Sequence, residues 1–354
     1  MSDRCWKEFW LSGTEGIFHL KATASGIDGN KLISGESQTI PYISRSDSMN
    51  GVKSFVSSKQ KQKYKIDSGN CITIGLDTQT VFYQPHSFFT GQNIQVLRNK
   101  ELSQELALFL VETIRKQMVK FNWGGNGATL GRLARLKIML PVNKNGEPDF
   151  DYMESTIREL KQAKTIEYRD FLKKELKSVR YVEIPKLEEK EWVTFELKSI
   201  FSFKKGNQKN MNILQEGSIP LISAKKINNG LKAFIKKNKE PLFEGDCITL
   251  NNDGDGGAGL AYYQPAVMAV DSHVTVLYPK IDMSKCSLLF LSRIISQQAD
   301  RFGHAHSITQ SRLNSYKLML PVDGNGAPDY SYMEQYIKNI FYTKAKEYLD
   351  FKAR

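Results

Sequence analysis

The stretch Lys137–Glu154, KIMLPVNKNGEPDFDYME, returns at Lys317–Glu334 as KLMLPVDGNGAPDYSYME. Twelve of the eighteen positions are identical at a constant offset of 180 residues, so each half of the chain is read as one copy of a unit. Working outward, the same offset pairs Tyr83-Gln84-Pro85 with Tyr263-Gln264-Pro265, Leu97 with Leu277, and Arg132-Leu133 with Arg312-Leu313. Small insertions bring Ile40-Pro41-Tyr42-Ile43-Ser44 onto Ile219-Pro220-Leu221-Ile222-Ser223. They also bring Gly69-Asn70-Cys71-Ile72-Thr73 onto Gly245-Asp246-Cys247-Ile248-Thr249, and Trp6-Lys7-Glu8-Phe9 onto Trp192-Val193-Thr194-Phe195. Landmarks kept in one order make the chain a tandem duplication.

Within each copy the pattern predicts an α/β (α+β) domain. Short strands are expected at Cys71–Ile74, Val81–Tyr83 and Asn93–Leu97, and at Cys247–Leu250, Leu260–Tyr263 and His273–Leu277. A helix is expected over Ser103–Phe121 and again over Ser284–Gln298, where Leu106, Phe109, Leu110 and Ile114 share one face. After Leu-Pro-Val comes a turn (Asn145-Gly146-Glu147-Pro148, Asn325-Gly326-Ala327-Pro328), and then Asp149 or Asp329, placed to cap a helix.

That second helix runs from Phe150 to Leu176 and from Tyr330 to Lys352. Met153, Ile157 and Leu160 recur as Met333, Ile337 and Ile340, at i, i+4 and i+7, and such a stripe needs a partner surface. It either packs on its own globular domain or the two helices pack on each other, antiparallel, about a pseudo-twofold axis. The connectivity favours the second, because the first helix must travel from one domain to the other. Expected boundaries are globular domains at 1–148 and 185–328 with helical spacers at 149–184 and 329–354. Replacing Met153, Ile157 and Leu160 by Asp is then expected to break spacing or partner docking while both domains stay folded.

Fifty Lys plus Arg against 38 Asp plus Glu leave a net charge of +12 on a chain of 354 residues, enough for two domains. Hydrophobic residues at 40% and nineteen Phe describe two packed cores rather than a basic disordered tail. Excess cation disfavours an enzyme of small acidic metabolites and makes nucleic acid the leading partner class. Cys5, Cys71, Cys247 and Cys286 lie far apart, which reads as reduced thiols, and His304 with His306 is too thin for a metal site. With no apolar run of membrane length and no leader-like N-terminus, a cytoplasmic protein is expected. A spacer of about 25 helical residues is about 38 Å long. It therefore spans about 11 base pairs, one duplex turn, which predicts two readers on either side of an unread gap.

At these residues the chain resembles the DNA-specificity (S) subunits of restriction–modification systems, of type I or the related bifunctional type II. The resemblance rests on the tandem arrangement and on Leu-Pro-Val followed by Gly-x-Pro-Asp-(Phe/Tyr)-x-Tyr-Met-Glu. It implies two target recognition domains, each reading half of a split double-stranded DNA sequence. It implies spacer helices that dock DNA adenine methyltransferase subunits, or fused methyltransferase–nuclease subunits. S-adenosylmethionine would belong to those partners; no cofactor, metal or catalytic residue is expected in this chain.

Three loops recur in both copies but differ in sequence, as readers of different half-sites should. The first carries Arg45, Ser46 and Asp47, against Lys225, Lys226 and Asn228. The second carries Asp77, Thr78 and Gln79, against Asn251, Asn252, Asp253 and Asp255. The third carries Asn122, Asn126, Thr129 and Arg132, against His304, His306, Thr309, Gln310 and Arg312. These side chains match base edges, and Lys and Arg also bind phosphate. Arg132 and Arg312 hold equivalent positions and suit a phosphate or shared structural role; His304, Gln310 and Asn126 suit base contact.

Other motifs dissolve on inspection. Gly254–Gly259 satisfies G-x-G-x-x-G but is followed by a strand pattern, and its calcium-loop likeness has Tyr262 where a glutamate belongs. Gly124-Gly125-Asn126-Gly127 lacks the Gly-Lys-Ser/Thr of a phosphate loop. Pro148-Asp149 with Glu159-Leu160-Lys161 imitates a nuclease motif, yet the glutamate and lysine fall inside a predicted helix and copy two has Asn339-Ile340-Phe341. The rival functions are a stand-alone DNA-binding protein or decoy without an enzyme partner, and a magnesium-dependent nuclease.

Overall fold

The computed structural model describes residues 4–33, 35, 37–121, 127–253, 257–302 and 307–351, with Asn212 described by its backbone alone. The chain divides into two compact units, Met1–Tyr168 and Arg169–Arg354. In the first half, β1 (Trp6–Trp10), β2 (His19–Ala22), β3 (Gln38–Ile43) and β4 (Val52–Ser57) precede β5 (Cys71–Gly75) and β6 (Val81–Gln84). Then come β7 (Phe89–Thr90), β8 (Ile94–Arg98), α1 (Gln104–Met118), α2 (Leu130–Ala134), β9 (Lys137–Pro141) and α3 (Phe150–Glu175). The division between units falls inside α3.

The strands form an antiparallel sheet in the order β2-β8-β5-β6, a smaller sheet β4-β3-β7 and a ribbon β1-β9. The second half repeats the plan. β10 (Trp192–Glu196), α4 (Leu197–Ile200), β11 (Phe201–Lys205), β12 (Glu216–Ile222) and β13 (Leu231–Ile235) lead to β14 (Cys247–Asn251). β15 (Ala261–Gln264), β16 (Ala269–Val270), β17 (Val274–Pro279), α5 (Lys285–Ser296), α6 (Gln310–Asn314), β18 (Lys317–Pro321) and α7 (Tyr330–Phe351) follow. Its sheets are β11-β17-β14-β15, β13-β12-β16 and β10-β18, strand for strand those of unit 1.

The central strand β5 is buried on both faces, which explains why CITIG carries no charged residue and only one polar side chain, Thr73, whose hydroxyl donates to the Phe82 carbonyl. Its Ile72 and Ile74 join a core with Leu97, with Leu106, Leu110 and Ile114 of α1, and with Ile138 and Leu140 of β9. The spacing of four along α1 puts those three side chains in one stripe, each worth about 1.5–3 kcal/mol on full burial. Ser103 starts the helix by accepting from the Leu106 amide at 3.1 Å.

The duplicated stretch that opened the reading is built the same way twice. Asn143 closes the turn by accepting the amides of Asn145 (2.9 Å) and Glu147 (3.1 Å), with Gly146 at φ +80°, where a side chain would be strained. Asp323 does the same for Asn325 (2.9 Å) and Ala327 (3.1 Å), with Gly326 at φ +77°. Asp149 then caps α3 on the Tyr152 amide at 3.0 Å, and Asp329 caps α7 on Tyr332 at 2.9 Å. Each cap carries a cation that the sequence did not flag. Arg4 pairs with Asp149 and lies 3.7 Å over the Tyr152 ring, while Lys190 sits 2.9 Å from Asp329 and 4.9 Å over Tyr332.

The apolar stripe of the second helix needs a correction. Met153 and Met333 are fully buried in the cores of their own units, Met153 beside Leu106 and Leu110, Met333 beside Leu288 and Leu291. The first turns of each helix meet the long helix of the same unit, α1 for α3 and α5 for α7. Lys161 reaches Glu105 at 2.7 Å, and Phe290 meets Tyr336 edge-on at 5.6 Å. Ile157 and Ile337 are half-buried, whereas Leu160 (54%) and Ile340 (45%) are exposed. An aspartate at Met153 would be an unpaired charge in a core, so the triple Asp replacement cannot leave unit 1 folded. After α3, residues 180–185 lie extended along α7: Asn339 clasps Val182 in both directions (2.6 and 3.1 Å), and Tyr332 donates to the Pro185 carbonyl at 2.9 Å.

Candidate nucleic-acid interface

In unit 1 the turn after β3 is set by Asn50, which sits at φ +56° and donates to the Tyr83 carbonyl at 2.8 Å. Buried Gln84 donates to the Asn50 carbonyl and to Thr73, both at 3.1 Å. Unit 2 repeats this network with Asn229 (φ +56°) on Tyr263 at 2.9 Å, and Gln264 on Asn229 and Thr249, both at 3.0 Å. The repeated Tyr-Gln-Pro motif is therefore a brace for the first loop. Buried polar groups satisfied this completely fix one conformation.

On that brace the three loops meet in each unit. In unit 1, Arg45 ion-pairs with Asp77, and Ala128 at the base of the third loop donates to the Leu76 carbonyl at 3.4 Å. In unit 2, Asn251 donates to the Lys225 carbonyl at 3.1 Å, and Ile308 donates to the Asn252 carbonyl at 2.7 Å. A fourth segment, the turn before β8 or β17, joins them: Asn93 accepts from Leu76 and His273 from Asn252, both at 2.9 Å. The sequence reading missed this turn because Asn93 and His273 counted there only as strand starts; the signal was the Gly-Gln-Asn and Asp-Ser-His composition of a turn.

Arg45, Asp47, Thr78, Thr129, Lys226, Asn228, Thr309, Gln310 and Arg312 are exposed on this edge, and Ser46, Asp77, Lys225 and Arg132 are half-buried. Ser46 bonds Ser48 at 3.0 Å and Thr78 bonds Thr80 at 3.0 Å. Arg132 and Arg312 each donate to the carbonyl five residues earlier, Gly127 at 3.0 Å and Ser307 respectively, so both brace the third loop. Thr309 caps α6 on the Arg312 amide, and Gln310 bonds Asn314 at 3.3 Å. Asn122, Asn126, Asp255, His304 and His306 lie outside the described residues.

Three assignments are corrected. Asn251 is fully buried on β14, where its amide also holds the Gly257 carbonyl at 3.1 Å. Asn252 is 7% exposed and accepts from Thr275 at 2.9 Å. Gln79, at φ +53°, spends its amide on the Leu76 and Asp77 carbonyls at 3.2 and 2.8 Å. All three shape loops rather than face a ligand. The G-x-G-x-x-G stretch lies between the antiparallel strands β14 and β15, and its described residues 257–259 lead into β15 rather than into a helix that could hold a phosphate.

Lysines cluster in both units. Lys205, Lys209, Lys236, Lys237 and Lys239 line a cleft of about 780 Å³ in unit 2 that reaches Ser272, next to His273. Unit 1 exposes Lys59, Lys61, Lys63 and Lys65 after β4, at the end of the β3-β4 hairpin opposite the first loop. These runs were legible as charge clusters and went unread. Among the described residues no group of three His, Cys, Asp or Glu side chains is placed to hold a metal, and no helix is long and apolar enough to cross a membrane.

With this geometry in place, comparison with known proteins is direct. The model of the type I restriction modification DNA specificity domain matches residues 16–168 and again 189–348. The specificity subunit of the type II restriction enzyme BgcI from Heyndrickxia coagulans is 30% identical over 319 residues, covering 89% of each chain. Among solved structures, the type I restriction-modification S subunit from M. genitalium is 16% identical with a TM-score of 0.45, covering 99% of this chain and 92% of that one. The HsdS subunit from Thermoanaerobacter tengcongensis is 12% identical with a TM-score of 0.34, over 99% and 92%. Membership rests on the two sequence matches. The chain belongs to the family of type I restriction modification DNA specificity domains, carries two copies of that domain, and is the non-catalytic specificity subunit of a restriction–modification system.

Proposed function

We propose that each unit reads one half of a bipartite double-stranded DNA site, and that α3 and α7 are the helical spacers that follow the two readers. The observation that carries this reading is the loop cluster. Two units share strand order and loop bracing, yet present different exposed side chains on the same edge: Arg45 and Thr78 in one, Lys226, Asn228 and Gln310 in the other. A common scaffold with divergent polar tips suits two different base sequences in the major groove, and the lysine-lined cleft that reaches Ser272 in unit 2 suits phosphates. At 26 residues α3 is about 39 Å long, which matches one duplex turn.

The exposed Leu160 and Ile340, beside half-buried Ile157 and Ile337, are the spacer positions left for docking. The partner is a DNA adenine methyltransferase, separate or fused to a nuclease, which supplies S-adenosylmethionine and the chemistry. The nuclease rival loses its motif: Lys161 is engaged by Glu105 at 2.7 Å, and Asn339 holds the backbone of Val182. The test is selection of randomised duplexes by the chain, alone and with the methyltransferase. Two enriched blocks around a fixed gap support the reading; a pool enriched in nothing, with the partner present, refutes it.

A further inference from the structure

Each unit has an aspartate two residues past its central strand, Asp77 after β5 and Asp253 after β14. The two hold different partners. Asp77 pairs with Arg45, from the loop after β3; Asp253 takes the Nδ1 of His273, from the turn before β17, with both carboxylate oxygens at 2.9 Å. Neither unit can make the other's pair, because Ala224 stands where Arg45 would be and Asn93 where His273 would be. One position in the scaffold thus serves the same electrostatic purpose by two routes.

We propose that Asp77 and Asp253 are positioning residues that each aim one donor, Arg45 in unit 1 and His273 in unit 2, at a guanine of its own half-site. This rests on the half-site reading above. A guanidinium has five N–H groups, so Arg45 keeps donors to spare beyond the Nη1 that faces Asp77. Its side chain is 46% exposed and that of His273 59%. Because Asp253 fixes the proton on Nδ1, the ring's Nε2 is the nitrogen left over on a side chain 59% exposed, with no partner among the described residues. It accepts when the ring is neutral and donates when it is charged. Guanine N7 and O6 both accept, so the charged ring and the guanidinium ask for the same base.

Around His273 the hydrogen bond that the ring donates to Asp253 raises its pKa, burial opposes, the Asp253 and Asp271 charges add to the rise and Lys205 opposes it. The sign follows. The second half-site contact is present while the ring is charged and fades as pH rises through its raised pKa; the arginine contact does not titrate.

The full chain is used to select randomised duplexes at about pH 6 and about pH 8, a window that spans imidazole titration. Wild type should give two blocks, with a guanine in one block fading at the higher pH, by up to about ten-fold per pH unit for one linked proton. His273→Gln should abolish that guanine preference at both pH values, and Asp253→Asn should move its fading to lower pH. Arg45→Ala and Asp77→Asn should act on the other block, independently of pH, with about a ten-fold loss of discrimination. An unchanged melting temperature in each variant separates aiming from folding. Two blocks in wild type with His273→Gln changing neither, or equal pH effects on both, overturns the proposal alone. No two-block motif in wild type overturns the half-site reading and the proposal with it.

Discussion

Met153→Ala and Leu160→Ala divide α3 into the part that folds and the part left to dock. Met153 is 0% exposed and sits in a core with Leu106, Leu110 and Ile138, so truncation leaves a cavity and costs about 2–5 kcal/mol. Leu160 is 54% exposed. Less than half of the roughly 1.5–3 kcal/mol of a fully buried leucine is at stake there, under about 1.5 kcal/mol. For a unit of this size each kcal/mol moves the melting temperature by roughly 2–4 °C. Calorimetry of the full chain should therefore show one transition falling by about 4–20 °C in Met153→Ala and by less than about 6 °C in Leu160→Ala. Methyltransferase capture should follow the reverse order once Leu160 is made Asp: unit folded, partner lost. Equal drops in the two alanine variants would refute the division, because Leu160 would then be as much a core residue as Met153.

The brace behind the first loop makes its own forecast. Gln264→Leu strands the Asn229 carbonyl and the Thr249 hydroxyl, costing about 1–3 kcal/mol, and should blur the base preference of the second block only, read by selection from randomised duplexes. Thiol labelling should separate the cysteines. Burial pushes Cys71 and Cys247 up to about 12, so at about pH 8 only some one in ten thousand is thiolate. Exposed Cys5 should react first with a maleimide, and Cys71 and Cys247 only on unfolding. Finally, burial opposes ionisation of Asp329, but Lys190 and the Tyr332 amide outweigh it and hold its carboxyl below the usual value. A depressed folded pKa gives stability that is present above the unfolded value near 3.9 and is lost as pH falls through the folded one. Acid unfolding of the second unit should accordingly become less pH-dependent in Asp329→Asn, measured by circular dichroism.

What the sequence made legible was local or duplicated. The turn at Asn143-Glu147, its glycine and the capping aspartate are contiguous, and their second copy removed the chance that they were accidental. Helical periodicity gave the stripe Met153, Ile157, Leu160 but not its cover, since a face with period 3.6 is the same whether its own domain or another helix lies on it. The burial of Asn251 and Asn252 depends on how far β14 extends and on which strands flank it; a Gly/Asn/Asp-rich composition reads as a turn in either case. Asp253 and His273 are twenty residues apart and meet only because β14 and β17 pair, a register that alternation alone does not specify. Arg132 and Arg312 were readable as equivalents, and both brace the same carbonyl.

The ribbons β1-β9 and β10-β18 bear on how such a protein changes over time. Trp6 lies opposite Pro141 and Trp192 opposite Pro321, so the chain arrives at a unit and departs from it at adjacent points. Everything between those points behaves as a cassette. A segment whose ends touch can be exchanged for another of the same span without altering the path of the chain on either side. Exchange of the stretch between β1 and β9, or between β10 and β18, would thus replace the loops of one unit in a single event and leave the helix that follows it unchanged.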